Sequence, residues 1–145
     1  MRCASYEPEH GCGGVEQGSR SLRAAETLTR ERCYADAISR AYYAILHAAK
    51  AALHVHDVVA ESHAAVRRMF GLHLVRPKEI EPEWSAYLVE SLDDRLAADY
   101  DVETSFSKED ARGECRRSRE FLRRVRRYLL KKGLQERELR TKDLV

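Results

Sequence analysis

Arg40, Tyr43, His47, Lys50 and His54 follow one another at steps of three and four. On a helix, at about 100° per residue, that spacing puts them on one face. Arg40 and His47 lie two turns apart, ~10 Å along the axis, and the long arginine lets both tips meet one phosphate diester. The pairing puts a base and a charge stabiliser within reach of one phosphate. A neutral imidazole titrates near working pH and can take a proton. A guanidinium can hold the phosphate and the charge that develops on it. Tyr43 can hydrogen-bond the phosphate or stack on a base. The same stripe also suits a plain solvated helix face, opposite the apolar Ile38, Tyr42, Ile45 and Ala49.

A second polar pair stands where apolar residues are expected. Trp84, Leu88 and Leu92 define a stripe that Arg95 and Asp99 continue. Charges in line with an inward face are costly unless paired. An intrahelical pair at a spacing of four is one account; projection into a cleft or dimer interface, or toward Arg40 or His47, is the other. Charge is also polarised along the chain. Ala111 to Lys132 carries ten Lys/Arg against two acids, and Arg76 to Asp110 carries four against eleven. The two stretches can neutralise each other or steer a charged partner. Arg116, Arg119, Arg123 and Arg126 form the best nonspecific phosphate surface, with solubility and contacts to the acidic stretch as the alternative.

Other candidates are weaker. Cys3, Cys12, Cys33 and Cys115 form no CxxC pair and are read as free thiols. His10 between Cys3 and Cys12 has irregular ligand spacing. His54 and His56 point about 200° apart on a continuing helix and cannot chelate together there, and His73 reads as a partly exposed helix-end residue. No cofactor or resident metal is expected, and no Gly-rich phosphate loop supports nucleotide binding by Arg40, Lys50 or Arg95.

These residues need helices to position them, and the periodicity supplies them. One helix is expected from Ser19 to about Arg32, with Leu22, Ala25 and Leu28 on one face. A long alanine-rich helix follows over about Tyr34 to His56. A third starts near Ser62 and runs toward Leu74. Pro77 and Pro82 mark a loop, and Pro82 opens a fourth helix through about Tyr100. Ser107 with Asp110 makes a capping-box start for the last, which Gly133 stops. The expected organisation is a flexible, Gly-rich tail over 1–18, a bundle over 19–133 and a charged, frayed tail over 134–145. The fold class is all-α, an antiparallel up-and-down bundle of four to five helices.

The 145-residue length suits one domain, which buries on the order of two-thirds of its unfolded surface. No apolar run reaches the ~20 residues of a membrane helix, and no signal-peptide core is seen. A cytoplasmic protein with no membrane partner is therefore expected.

The run Asp36-Ala-Ile-Ser-Arg-Ala-Tyr-Tyr-Ala-Ile-Leu-His47, Ser62-His63 through Phe70, and Arg95-Leu-Ala-Ala-Asp-Tyr-Asp101 together resemble the small HEPN proteins. The likeness spans roughly Ser19 to Lys132, and Ser-Arg-Ala-Tyr-Tyr-Ala is its most specific part. The resemblance implies a helical bundle that pairs as a homodimer. In many members it also implies a metal-independent ribonuclease, a toxin encoded beside a minimal nucleotidyltransferase that serves as antitoxin. The family signature is an Arg followed, after four to six residues, by a His; Arg40 and His47 meet that spacing at its upper limit. In the characterised nucleases the pair lies on a later helix. The counterpart here, Arg95, is followed by Asp99 and Tyr100 and by no His. Two readings stand. One is an RNA-cleaving toxin with Arg40, His47 and Arg95 catalytic and Tyr43, Lys50, Asp99, Tyr100, Arg116, Arg119 and Arg123 binding substrate phosphates. The other is a non-catalytic dimeric module that engages a nucleotidyltransferase or a nucleotide.

Overall fold

In the computed structural model the backbone is described over residues 3–100, 105–141 and 144, and the side chains from Gly14 onward. The elements are α1 (Cys3–Arg30), α2 (Tyr34–His54), α3 (His63–Phe70), a π-helical turn (Gly71–Val75), α4 (Pro82–Tyr100), α5 (Lys108–Lys131) and a short α6 (Glu136–Leu139). There is no strand among the described residues, and the helices pack as the expected all-α bundle.

α2 is the central element, packed against α1, α4 and α5. Its alanines make this possible. Ala37, Ala41, Ala44, Ala48, Ala49, Ala51 and Ala52 are all buried, and small side chains let three neighbours approach one axis. Tyr42, Phe70, Phe121, Leu122 and Leu129 fill the space around it. Each such burial contributes roughly 1.5–3 kcal/mol.

The expected punctuation is visible in the caps. Asp110 N–H donates to Ser107 Oγ at 3.1 Å, and Ser107 N–H donates to Asp110 Oδ2 at 2.9 Å, the reciprocal box that starts α5. Ser62 Oγ accepts from Ala65 N–H at 3.0 Å to start α3. Gly133 follows α5 at φ +104, where a side chain would be strained.

Both ends of the bundle differ from the expected boundaries. The expected tail through Gly18 overlaps α1, in which Val15 is fully buried and Gly18 packs on α2 and α5. Glycine reads as a helix breaker by propensity, but here it serves close helix approach. At the other end, Leu139 and Leu144 are buried, and Arg126 reaches Glu136 at 2.6 Å and Thr141 at 3.1 Å. The charged segment is therefore strapped to α5 through Arg126, and α6 packs on α1.

The opposite charges of α4 and α5 meet within the fold. Arg117 contacts Glu114 at 2.6 Å, Asp94 at 3.4 Å and Glu90 at 3.6 Å. Arg124 holds Glu81 at 2.8 Å, and Lys132 holds Glu79 at 2.9 Å. Glu114 is only 4% exposed. Burial first, then a hydrogen bond with Asp94, lifts its carboxyl to about 7 against the pull of Arg117. A carboxyl raised above its unfolded value gives stability that is fully present below about 4.5 and lost as pH rises through about 7. Glu114→Gln is therefore expected to flatten the fall in melting temperature between about pH 4.5 and pH 7. An unchanged slope in thermal melts across that range would contradict the assignment.

Candidate active site

The α2 stripe meets α4 in a polar seam. Ser39, Tyr43, His47 and Lys50 recur at helical spacing along α2, and Arg95 and Asp99 stand one turn apart on α4. Arg95 Nη2 donates to Tyr43 Oη at 3.0 Å. Arg95 Nε makes an ion contact with Asp99 Oδ2 at 3.1 Å without aligned hydrogen-bond geometry. The other oxygen of Asp99 accepts from Ser39 Oγ at 2.9 Å. The Arg95–Asp99 pair is thus intrahelical, and it reaches α2 through Tyr43 and Ser39 rather than through Arg40 or His47.

The Arg95 side chain is 14% exposed. Its guanidinium lies over two rings, 5.2 Å from the Tyr43 centroid and 5.9 Å from that of Tyr42. Such cation–π contacts partly replace the lost hydration. His47 follows one turn beyond Tyr43, with ring centroids 6.5 Å apart. Burial, then the charge of Lys50, pushes the His47 imidazole below its ordinary value. His63, at the start of α3, closes the seam. Its Nδ1 is 2.7 Å from Tyr42 Oη, and burial, then Arg95 and Lys50, lower its pKa as well. Burial pushes the Tyr42 hydroxyl up to about 12. The seam thus combines a shielded cation with two imidazoles whose protonated form burial disfavours. That is the chemistry of a base beside a charge stabiliser.

The remaining candidates are distributed elsewhere. Arg40 is exposed on α2 and takes no part in these bonds. Tyr100 ends α4 at 73% exposure, and Asp101 lies outside the described residues. On α5, Arg119 holds Glu26 of α1 at 2.7 Å, Arg123 donates to the Leu144 carbonyl at 3.0 Å, and Arg116 is exposed. The other histidines separate, since His56 bonds Tyr128 Oη at 2.6 Å while His63 bonds Tyr42. No three His, Cys, Asp or Glu side chains gather as metal ligands among the described residues. Cys33 is exposed and Cys115 buried, both as thiols. No described helix is long and apolar enough to cross a membrane.

Sequence reasoning did not place Ser39, Tyr42 or His63 in the site. Tyr42 reads as core by periodicity, and it is core; its ring under Arg95 and its hydroxyl at His63 also reach the seam. His63 sits across a loop from α2, so helical spacing carries no signal for it.

The chain has recognisable relatives. A family model described as HEPN domain matches residues 15–131. The protein named "Putative toxin MJ0142" from Methanocaldococcus jannaschii is 30% identical over 120 residues, covering 83% of this chain and 82% of the relative. "Putative toxin MJ0605" of the same organism is 34% identical over 115 residues, covering 79% and 85%. "UPF0332 protein PH1297" of Pyrococcus horikoshii is 42% identical over 74 residues, about half of each chain.

Proposed function

Because the chain belongs to the HEPN domain family, we propose that it is a toxin-like protein that cleaves RNA without a metal at the seam between α2 and α4. The observation that carries this reading is His47, its protonated form disfavoured by burial and Lys50, one turn from the Tyr43 that accepts from Arg95. His47 takes the proton of a ribose 2′-hydroxyl, and the 2′-oxygen attacks the adjacent phosphorus. Arg95 and Lys50 offset the charge on the phosphoryl oxygens, with Arg40 at the exposed edge of the stripe. The P–O5′ bond breaks, solvent protonates the 5′-oxygen, and a 2′,3′-cyclic phosphate remains. The names of two relatives support the toxin character. A homodimer setting two seams across one groove, cytoplasmic action and control by a minimal nucleotidyltransferase belong to the same proposal.

One observation favours a second reading, a non-catalytic module that binds its partner or a nucleotide. Asp99 and Tyr43 already engage Arg95, and that engagement suits a structural strut as well as a phosphate clamp. Controlled expression separates the two readings. Wild type is expected to arrest growth and His47→Ala to relieve the arrest at equal protein level. Equal arrest by both would favour the module.

A further inference from the structure

Outside the seam, a groove of about 830 Å³ opens between α3, the π-helical turn and the start of α4. Half-buried Ala65 and Gly71 and the 41%-exposed Leu72 give it apolar surface. Arg67, Arg68 and Arg76 line it as well, and all three are exposed. They differ from several arginines of the bundle in one respect. Arg20, Arg95, Arg117, Arg119, Arg124 and Arg126 each hold a carboxylate, whereas Arg67, Arg68 and Arg76 hold none among the described residues. No acidic side chain lines the groove.

The π-helical turn adds a second observation. Arg76 N–H bonds the Gly71 carbonyl at 2.9 Å, one residue wider than an α-helical bond. Such bulges cluster at functional positions. This one sets Leu72 and Arg76 into the same groove, and a side chain at Gly71 would meet nothing within 4 Å. Leu72 is thus left 41% exposed with charge around it.

We propose that this groove docks an acidic, amphipathic helix of a partner protein, with its apolar stripe on Ala65, Gly71 and Leu72 and its carboxylates on Arg67, Arg68 and Arg76. Three features select that occupant. The charges around the groove are of one sign and hold no carboxylate among the described residues, so they complement carboxylates. The groove offers no aromatic face on which a base could stack, which disfavours single-stranded RNA. The walls are helical, with no strand edge among the described residues to pair an extended peptide, which leaves helix-in-groove recognition. The inference is independent of the cleavage chemistry and survives its failure.

The test uses the full chain and three labelled probes followed by fluorescence anisotropy at about 0.15 M salt. The first is a synthetic helical peptide with leucines at i, i+3, i+4 and i+7 and glutamates opposite; the second is its lysine counterpart; the third is a single-stranded RNA oligonucleotide. The acidic peptide is expected to bind saturably, and the lysine peptide is not. Arg68→Glu with Arg76→Glu, and separately Leu72→Asp, should each weaken acidic-peptide binding by at least about tenfold. All three positions are exposed, so circular dichroism and melting should match wild type, and Arg76→Ala provides a milder variant. Absence of saturable acidic-peptide binding overturns the proposal. So does binding indifferent to these substitutions, or an RNA affinity that falls with them while peptide affinity does not.

Discussion

Replacing His47 with alanine is expected to slow RNA cleavage by about 10²–10⁴-fold, the usual contribution of a positioned general base. The seam gives the reason. His47 lies beside the Tyr43 ring on a half-buried face, where burial and Lys50 disfavour its protonated form. The base therefore stays available as pH falls past the ordinary histidine value of 6.5, and the acid limb of the rate profile should lie below that value. His47→Gln keeps hydrogen-bonding capacity without basicity and should be as slow as alanine. The idea fails if either variant retains the wild-type rate. Arg95→Ala should also lose activity, but it releases Asp99 and Tyr43 from their shared contact, so its loss is read beside a melting curve.

Substitution at Gly18 should produce the largest effect on stability. A Cβ there would lie 2.8 Å from Leu122 Cδ2 and 2.9 Å from the Ala44 carbonyl oxygen. A leucine tip can rotate away, but the backbone of α2 cannot move without shifting the helix. Gly18→Val should therefore cost about 1–3 kcal/mol, in the range of core overpacking, and lower the melting temperature by several degrees. Gly18→Ala should destabilise too, against the ordinary gain for Gly to Ala within a helix. Gly113 on α5 provides the contrast, since nothing lies within 4 Å of an added Cβ. Gly113→Ala should stabilise by about 0.4–1 kcal/mol. Denaturant unfolding of the pair decides the matter; a shared sign would remove the close-approach account.

The same crossing bears on function. An added Cβ at Gly14 would lie 3.1 Å from the His47 carbonyl, and one at Gly18 would lie 3.7 Å from His47 Cβ. α1 thus presses on α2 directly behind the proposed base, and shifts of about 1 Å in catalytic groups are costly.

Most of the architecture was legible in the sequence because amphipathic period and caps are local signals. Pro82, the Ser107–Asp110 box and Gly133 each mark a boundary through the chemistry of a few neighbouring residues. The two ends were less legible for the complementary reason. Gly14 and Gly18 have low helix propensity, and only the facing alanines of α2 explain them. Leu139 and Leu144 are isolated apolar residues among charges, with no periodicity to place them. In the site, the Tyr43–His47 face and the anomalous Arg95–Asp99 pair were readable from spacing. That Arg95 meets Tyr43, and that His63 joins from α3, depends on how α2, α3 and α4 come together, and one chain's periodicity does not carry that. The density of arginine on α5 does not by itself name the carboxylates that Arg117, Arg119, Arg124 and Arg126 engage.

The most direct measurement follows the ends of RNA incubated with the purified wild-type chain in excess EDTA. The account predicts fragments bearing 2′,3′-cyclic phosphate and 5′-hydroxyl ends, formed as fast with EDTA as with Mg²⁺. Intact RNA under both conditions, or cleavage that appears only with Mg²⁺, would contradict it.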